Sequence, residues 1–473
     1  MLQTLKNAWR TKEIRNKILF TLFILLLYRI GTVVPVPFVD ANNFESQFQG
    51  TILDYLNILS GGSLGTATLF ALGVSPYINA SIVIQLLCVV FPKLGELAKN
   101  DKKKMSFITR IVTVVLALVT AIGYYFLLSQ SGMLSPIATK ADNTLFWLYA
   151  IVIVACYCAG ASLIMWLADR INERGLGNGI SVILFANIIC AIPSQLIQLF
   201  NLVKNTFEYE NPVGYAIAAI AFALAIIAIV IAFTVFVIFV TGSERRIPVQ
   251  YAKRVVGRKM YGGQNSNLPI KLNMTGVMPV IFASSIVSLI PTILALCGVT
   301  NETEGFWGDF SWVMGSEGPV YPIALFVLII GFAYFYTQIT FDPVDVANNL
   351  KRQGGAIPGI RQGRPTSDYI RKILNKITLA GALFLSVVAV VPVLANPLIQ
   401  EILKGILSGA INDAWSATDK ATALTNIASS AKSLASILSF GGTSLIIVVG
   451  VALETFRDLE AQLTMRSYKG FLD

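Results

Sequence analysis

Thirty of the chain's 36 lysine and arginine residues lie in alternate gaps between ten apolar runs, and this alternation limits the fold more than any motif does. The runs cover 17–34, 74–92, 105–129, 145–168, 179–200, 213–241, 274–297, 320–341, 372–393 and 436–456. A helix of ~20 apolar residues crosses the hydrocarbon of a bilayer. The basic clusters fall before the first run and after every even-numbered one. The other gaps hold only Lys140, Lys204, Lys404, Lys420 and Lys432, and Arg29 lies inside the first run. Retention of Lys and Arg on the cytoplasmic side produces this pattern. It predicts an all-α polytopic membrane protein with ten transmembrane helices and both termini cytoplasmic. A soluble domain would carry about twice the 13% of charged residues found here. A basic segment precedes the first run, as in a signal peptide. Tyr28, Arg29 and then Pro-Val-Pro-Phe stand where a small-residue cleavage site is needed, so the run reads as an uncleaved first span.

The interior of the runs excludes several activities. None carries Asp, Glu or His near its middle, whereas ion-coupled transporters and pumps keep such groups there. Arg29, close to the outer end of span one, either snorkels to the interface or pairs with a helix end. No potassium-filter-like sequence or acidic ring is present, so an apolar constriction that bars ions by dewetting is the expected barrier. The five cysteines lie in apolar runs and read as small buried hydrophobes, not as disulfides or metal ligands. GLGNG at 175–179 lacks the preceding strand and following Gly-Lys-Ser/Thr of a phosphate loop, and reads as a turn into span five. No nucleophile, base and acid come together in the sequence. No catalytic residue, metal site or cofactor is expected.

Three connections stand out. Residues 51–73, TILDYLNILSGGSLGTATLFALG, are too broken by Gly61 and Gly62 to span and too apolar for a solvated loop. Irregular backbone at membrane depth requires surrounding protein or a watery cavity. The stretch is therefore a re-entrant segment in an outer-facing cavity. Residues 243–272 alternate Ile247, Val249 and Tyr251 towards a VVG turn, the pattern of a protruding hairpin with Arg254, Arg258 and Lys259 near its tip. Residues 342–369 place Lys351, Arg352, Arg361 and Arg364 among glycines. Topogenic charge explains much of this count, but not the length of the two loops. Two basic fingers on one face suit an acidic partner or an RNA surface.

An ordered set of motifs then resembles the SecY family of bacterial protein-conducting channels. It comprises YRIG at 28–31, SGG at 60–62, FALGVSPYINASIVIQLL at 70–87, ERGLGNGIS at 173–181, YAKRVVGRK at 251–259, LPIKLNMTGVMPVIFASSI at 268–286, NNLKRQGGAIPGIRQG at 348–363 and FGGTSL at 440–445. The resemblance implies two inverted five-helix halves around a central pore in the plasma membrane. On this reading 1–16 is a cytoplasmic segment, 17–200 and 213–456 are the halves, 394–435 is a long external loop, and 457–473 is a cytoplasmic tail. Residues 52–66 become a short plug helix, with Leu53, Leu56, Leu59, Ser60, Gly61 and Gly62 as its contacts. The pore ring carries over to Val74, Ile78, Ile180, Leu184, Ile281 and Ile447. The i,i+4 spacings of 74 with 78 and of 180 with 184 place each pair on one helix face. Val74 and Leu184 stand where the family usually has isoleucine. The lateral gate, between spans two and three and spans seven and eight, takes Asn79, Gln85, Thr275, Ser284 and Ser288.

The implied function is translocation of unfolded preproteins bearing signal sequences, with lateral release of hydrophobic segments into membrane lipid. The implied partners are the small membrane subunits SecE and SecG, the motor ATPase SecA, and the ribosome with its RNA and proteins. The motor and the ribosome would dock at Arg254, Arg258, Lys259, Arg361 and Arg364. The alternatives are an inverted-repeat secondary transporter of a small solute, against which the missing intramembrane carboxylates count, and a scaffold with no pore. The long external loop departs from the short turn common in the family.

Overall fold

The computed structural model describes residues 2–40, 52–135, 143–207, 212–251, 254–256, 259–261, 265–297, 299, 305–315, 318–408 and 442–464. A short helix, α1 (Leu2–Arg10), leads into α2 (Lys12–Gly31). Then come α3 (Ile52–Leu59), α4 (Ser75–Val90), α5 (Pro92–Asn100), α6 (Lys102–Gln130), α7 (Asn143–Arg174), α8 (Gly179–Phe207) and α9 (Pro212–Gly242). Four strands follow, β1 (Glu244–Tyr251), β2 (Arg254–Val256), β3 (Lys259–Tyr261) and β4 (Asn265–Lys271). The remainder is α10 (Met278–Leu296), α11 (Phe306–Met314), α12 (Val320–Thr340), α13 (Pro343–Arg352), β5 (Gly355–Ala356), α14 (Arg364–Ser408) and a last helix, α15, over 442–464.

Helices thus occur at all ten expected segments. Among the described residues, seven are long and apolar enough to cross a membrane unaided, and α4 with α5 forms an eighth if that bent pair is one span. The bend of 118° falls at Phe91, which is extended (φ −108°, ψ 103°) ahead of Pro92. The proline ring disfavours helical backbone in the residue before it. The bend therefore follows directly from the sequence. Helices α2 and α15 each join an apolar stretch to a charged one, residues 12–17 at the start of α2 and 454–458 towards the end of α15.

Contacts between helices repeat with a period of five spans. In the first half α4 packs on α6, α6 on α7, α2 on α7, and α4 on α7. In the second half the counterparts are α10 on α12, α12 on α14, α9 on α14, and α10 on α14. Packing of α7 on α8 is matched by α14 on α15, where a Cβ at Gly442 would lie 2.6 Å from the carbonyl oxygen of Val388. This is the contact pattern of a duplicated five-helix unit. The halves meet where α4 and α6 pack on α10, and also where α8 packs on α9. A Cβ at Gly123 of α6 would lie 2.9 Å from Leu296 of α10.

Two boundary shifts change the connections expected from the sequence. Span nine, expected to end at 393, continues as helix to Ser408 despite Pro392 and Pro397. Residues 409–435 of the expected external loop at 394–435 lie outside the described residues; its first part is helical. Span seven begins at Met278 and not at 274, because Gly276 (φ +65°) breaks the backbone ahead of it.

The two long basic connections are one body. β1 pairs antiparallel with β4 through seven positions, from Glu244↔Lys271 to Gln250↔Asn265. β1 also pairs with β5 of the other connection, through Gln250↔Ala356 and Tyr251↔Gly355. The alternation read from the sequence turns Ile247 and Val249 inward. There they join Ile270, Leu350, Ile357, Ile370 and Ile377 in a separate apolar core. We expect Ile270→Ala, at a fully buried position, to cost about 2–5 kcal/mol of local stability. Limited trypsin digestion should then cut both connections faster and together; faster cutting of 243–272 alone would show that they are independent.

Candidate functional site

The segment that looked unfit for membrane or water folds as a helix and an irregular return, held over the junction of the two halves. Helix α3 ends at Leu59, shorter than the 52–66 expected, because Gly61 (φ +73°) enters the left-handed region. Gly62 N–H donates to the Asn57 carbonyl at 2.8 Å and Gly61 N–H to that of Ile58 at 3.1 Å. This is the double closure typical of a glycine-terminated helix. Asn57 Oδ1 accepts from Gly65 N–H at 2.8 Å, and Ser60 Oγ accepts from Leu64 N–H at 3.2 Å.

The carbonyls left over are taken by side chains from four spans. Asn187 of α8 donates from Nδ2 to the Leu59 carbonyl at 2.7 Å and to Tyr28 Oη at 2.9 Å. Tyr28 of α2 donates to the Ser60 carbonyl at 3.5 Å, and Arg29 donates to that of Gly61 at 3.0 Å. Tyr124 of α6 donates to the Leu64 carbonyl, and Tyr157 of α7 to that of Ala67 at 3.3 Å. Of the two readings of Arg29, the pairing with a helix end is the one found. Tyr28, Tyr124, Tyr157 and Asn187 are all at most 2% exposed. The sequence reading gave none of them a role. Their signal was a phenol or amide set at membrane depth within an apolar run.

Beneath α3 lies a cavity of about 90 Å³. It joins Leu56 and Leu59 of α3 to Ile78, Leu184, Ile281 and Ile447. These four residues of the expected ring come from four different spans. Val74 is buried in the same apolar cluster, and Ile180 packs against that cluster without lining the cavity. Leu53 is buried against a second cluster that includes Tyr124 and Tyr157. Asn79, Ser284 and Ser288 line the cavity too. Ser284 donates to the Ile281 carbonyl and Ser288 to that of Ser285, both within α10. Asn79 Oδ1 is buried without a hydrogen-bond partner. An unmet buried acceptor costs about 1–3 kcal/mol, a cost relieved when a polar group or water arrives.

Gln85 sits farther along α4 and accepts from the hydroxyl of Tyr336 on α12, a direct tie across the seam. Thr275 is set apart. It lies ahead of α10 in the wall of a second cavity, of about 240 Å³, with Thr241, Lys271, Asn273 and Arg457. Burial, reinforced by the charge of Arg457, pulls the Lys271 ammonium below its ordinary value. Arg361 and Arg364 are exposed. Arg254 faces Tyr261 and Lys259 faces Val256 across the β2–β3 pair, while Arg258 lies outside the described residues.

This arrangement, an apolar constriction under a seated helix at the junction of an inverted pair, accords with what known proteins show. The SecY family model matches residues 68–456. The chain belongs to the SecY family. The protein translocase subunits SecY of Streptomyces galbus and Mycobacterium tuberculosis are each 38% identical to it over the full length of both chains. A solved protein-conducting channel covers 94% of this chain and 92% of its own, with a TM-score of 0.57 and 16% identity, and so shares its fold. A second structure, with the same coverage, TM-score and identity, is described as one in which the plug domain stabilises the closed state and maintains a membrane seal. As a SecY-family translocase subunit, the chain needs a seam that can part. Tyr336→Phe removes the cross-seam bond and should shift the open fraction by up to about threefold, the scale of one interhelical hydrogen bond of ~0.6 kcal/mol. Spin labels at the exposed positions Val89 and Ile339 would report this as a broader distance distribution; an unchanged distribution would mean that packing alone holds the seam.

Proposed function

We propose that this chain forms the pore through which unfolded preproteins cross the bacterial plasma membrane, and the seam through which hydrophobic segments leave for lipid. The observation that carries this reading is the shared cavity in which Leu56 and Leu59 rest on Ile78, Leu184, Ile281 and Ile447. Six aliphatic tips at 74, 78, 180, 184, 281 and 447 form the ring. It is apolar enough to resist ions by dewetting and deformable enough to admit a chain. Displacement of α3 opens the path, and parting of α4 and α6 from α10 and α12 opens the gate. Asn79, Gln85, Ser284 and Ser288 tune that second step. Thr275, outside the seam, acts at the cavity mouth.

The cytoplasmic face is the one carrying the basic connections, which also places both termini there. The β1–β4–β5 sheet and the exposed Arg361 and Arg364 offer a joint docking surface for SecA and for the ribosome. Arg254, Arg258 and Lys259 extend it. Solved structures that share the fold are described as Sec61 in a canine ribosome–channel complex and as a yeast Ssh1 complex bound to the 80S ribosome, which supports a ribosomal partner here. SecE and SecG complete the complex. Energy comes from these partners, so the chain itself needs no catalytic group.

The test uses a chain with its five cysteines replaced and one cysteine placed at Ile281. A secretory polypeptide carrying a single cysteine is arrested in transit and disulfide formation is scored. We expect a crosslink that needs both the signal sequence and the arrest. No crosslink at 281, 78 or 447 would remove the pore assignment and return solute transport to consideration.

A further inference from the structure

One helix, α8, carries both a cavity-lining residue of the ring and the amide that grips the plug, and that juxtaposition reaches beyond a passive seal. Three successive carbonyls, those of Leu59, Ser60 and Gly61, follow the last turn of α3, and each is held by a different side chain. Asn187, Tyr28 and Arg29 supply the donors. The carbonyl end of a helix carries partial negative charge, so a guanidinium there is favourable. The close fit is built in: a Cβ at Gly61 would lie 2.8 Å from Asn187 Oδ1 and 3.2 Å from the Arg29 guanidinium. Farther along, Leu64 and Ala67 are tied instead to Tyr124 and Tyr157 on α6 and α7. The return strand is thus fixed to one pair of spans and the plug's end to another.

Asn187 stands three residues beyond Leu184 on α8, on the same helix face. Leu184 lines the cavity under the plug, and Asn187 grips the plug's end. Any movement of α8 that draws Leu184 out of the constriction also draws the Asn187 amide away from Leu59 and Tyr28. We infer that Asn187, with Tyr28 and Arg29, is a latch that releases the plug when α8 moves to widen the ring. Gly61 is where the freed segment turns, and the Tyr124 and Tyr157 ties keep its base in place. This inference rests on the channel reading above.

The test reads the resting channel. The full chain, with its small membrane subunits, is reconstituted in planar bilayers without preprotein, and ion conductance is recorded for Asn187→Leu, Tyr28→Phe and Arg29→Gln. Each should raise the resting open fraction by about three- to tenfold, the net scale of one or two hydrogen bonds. Asn187→Leu combined with Tyr28→Phe should give less than the product of the two, because they share a bond. A single cysteine at Leu56 in a cysteine-free chain gives the second readout. It should react faster with a membrane-impermeant thiol reagent in the latch variants. Unchanged conductance in all three variants, with transport intact, overturns the latch. So does a raised conductance with the Leu56 cysteine still shielded, since the substitutions would then act on the ring alone. If the unsubstituted chain, reconstituted with its partners in lipid vesicles, moves no preprotein, the channel reading itself falls, and the latch with it.

Discussion

A backbone carbonyl at membrane depth must find a donor, and the arrangement of this protein turns on how one irregular segment meets that demand. Lipid offers no hydrogen bonds, so regular helices satisfy themselves and anything else must be satisfied by neighbours. Residues 60–74 are not regular helix, yet they lie among spans. Their carbonyls at Ser60, Gly61, Leu64 and Ala67 are reached by hydroxyl, guanidinium and phenol groups from α2, α6 and α7, while α8 supplies the amide that reaches Leu59. Four spans must therefore stand around the segment, and in doing so they define the funnel it occupies.

Closure of the constriction uses the opposite chemistry. Leu56, Leu59, Ile78, Leu184, Ile281 and Ile447 meet through dispersion and shape, with no polar bond between them. Such contacts yield progressively, whereas hydrogen bonds break in steps. The polar bonds thus lie at the end of α3 and the apolar contacts beneath it, so the two kinds of hold are spatially separate. The seam is similarly mixed. Gln85 is tied to Tyr336 across it while the Asn79 acceptor is unmet, so it is closed without being optimised for closure.

On the face carrying the basic clusters, the two connections share an apolar core and a sheet, so their charges are presented on one scaffold. That scaffold begins where α9 ends and runs into α14, so a load on it is passed to spans of the second half. The first half carries α3 and its return, and the second carries the basic sheet.

The sequence by itself determined the helical segments, their alternating charge, the hairpin from Ile247, Val249 and Tyr251, and the misfit of residues 51–73. Each is a local matter of length, period and composition. It also carried the motifs by which ring and plug positions were assigned, because an i,i+4 aliphatic pair and a Gly-Gly pair are visible in a linear string. Only the tertiary structure decided that Tyr28 and Asn187, 159 residues apart, bond to each other and to the adjacent carbonyls of Ser60 and Leu59. It also decided that β5 joins β1 across an intervening pair of spans, that α14 runs on to Ser408, and that Thr275 stands away from the seam. The physical reason is the same throughout. A hydrophobic pattern states which residues avoid water, but a hydrogen bond between distant segments depends on which helices are neighbours, and neighbourhood is set by packing of the whole bundle.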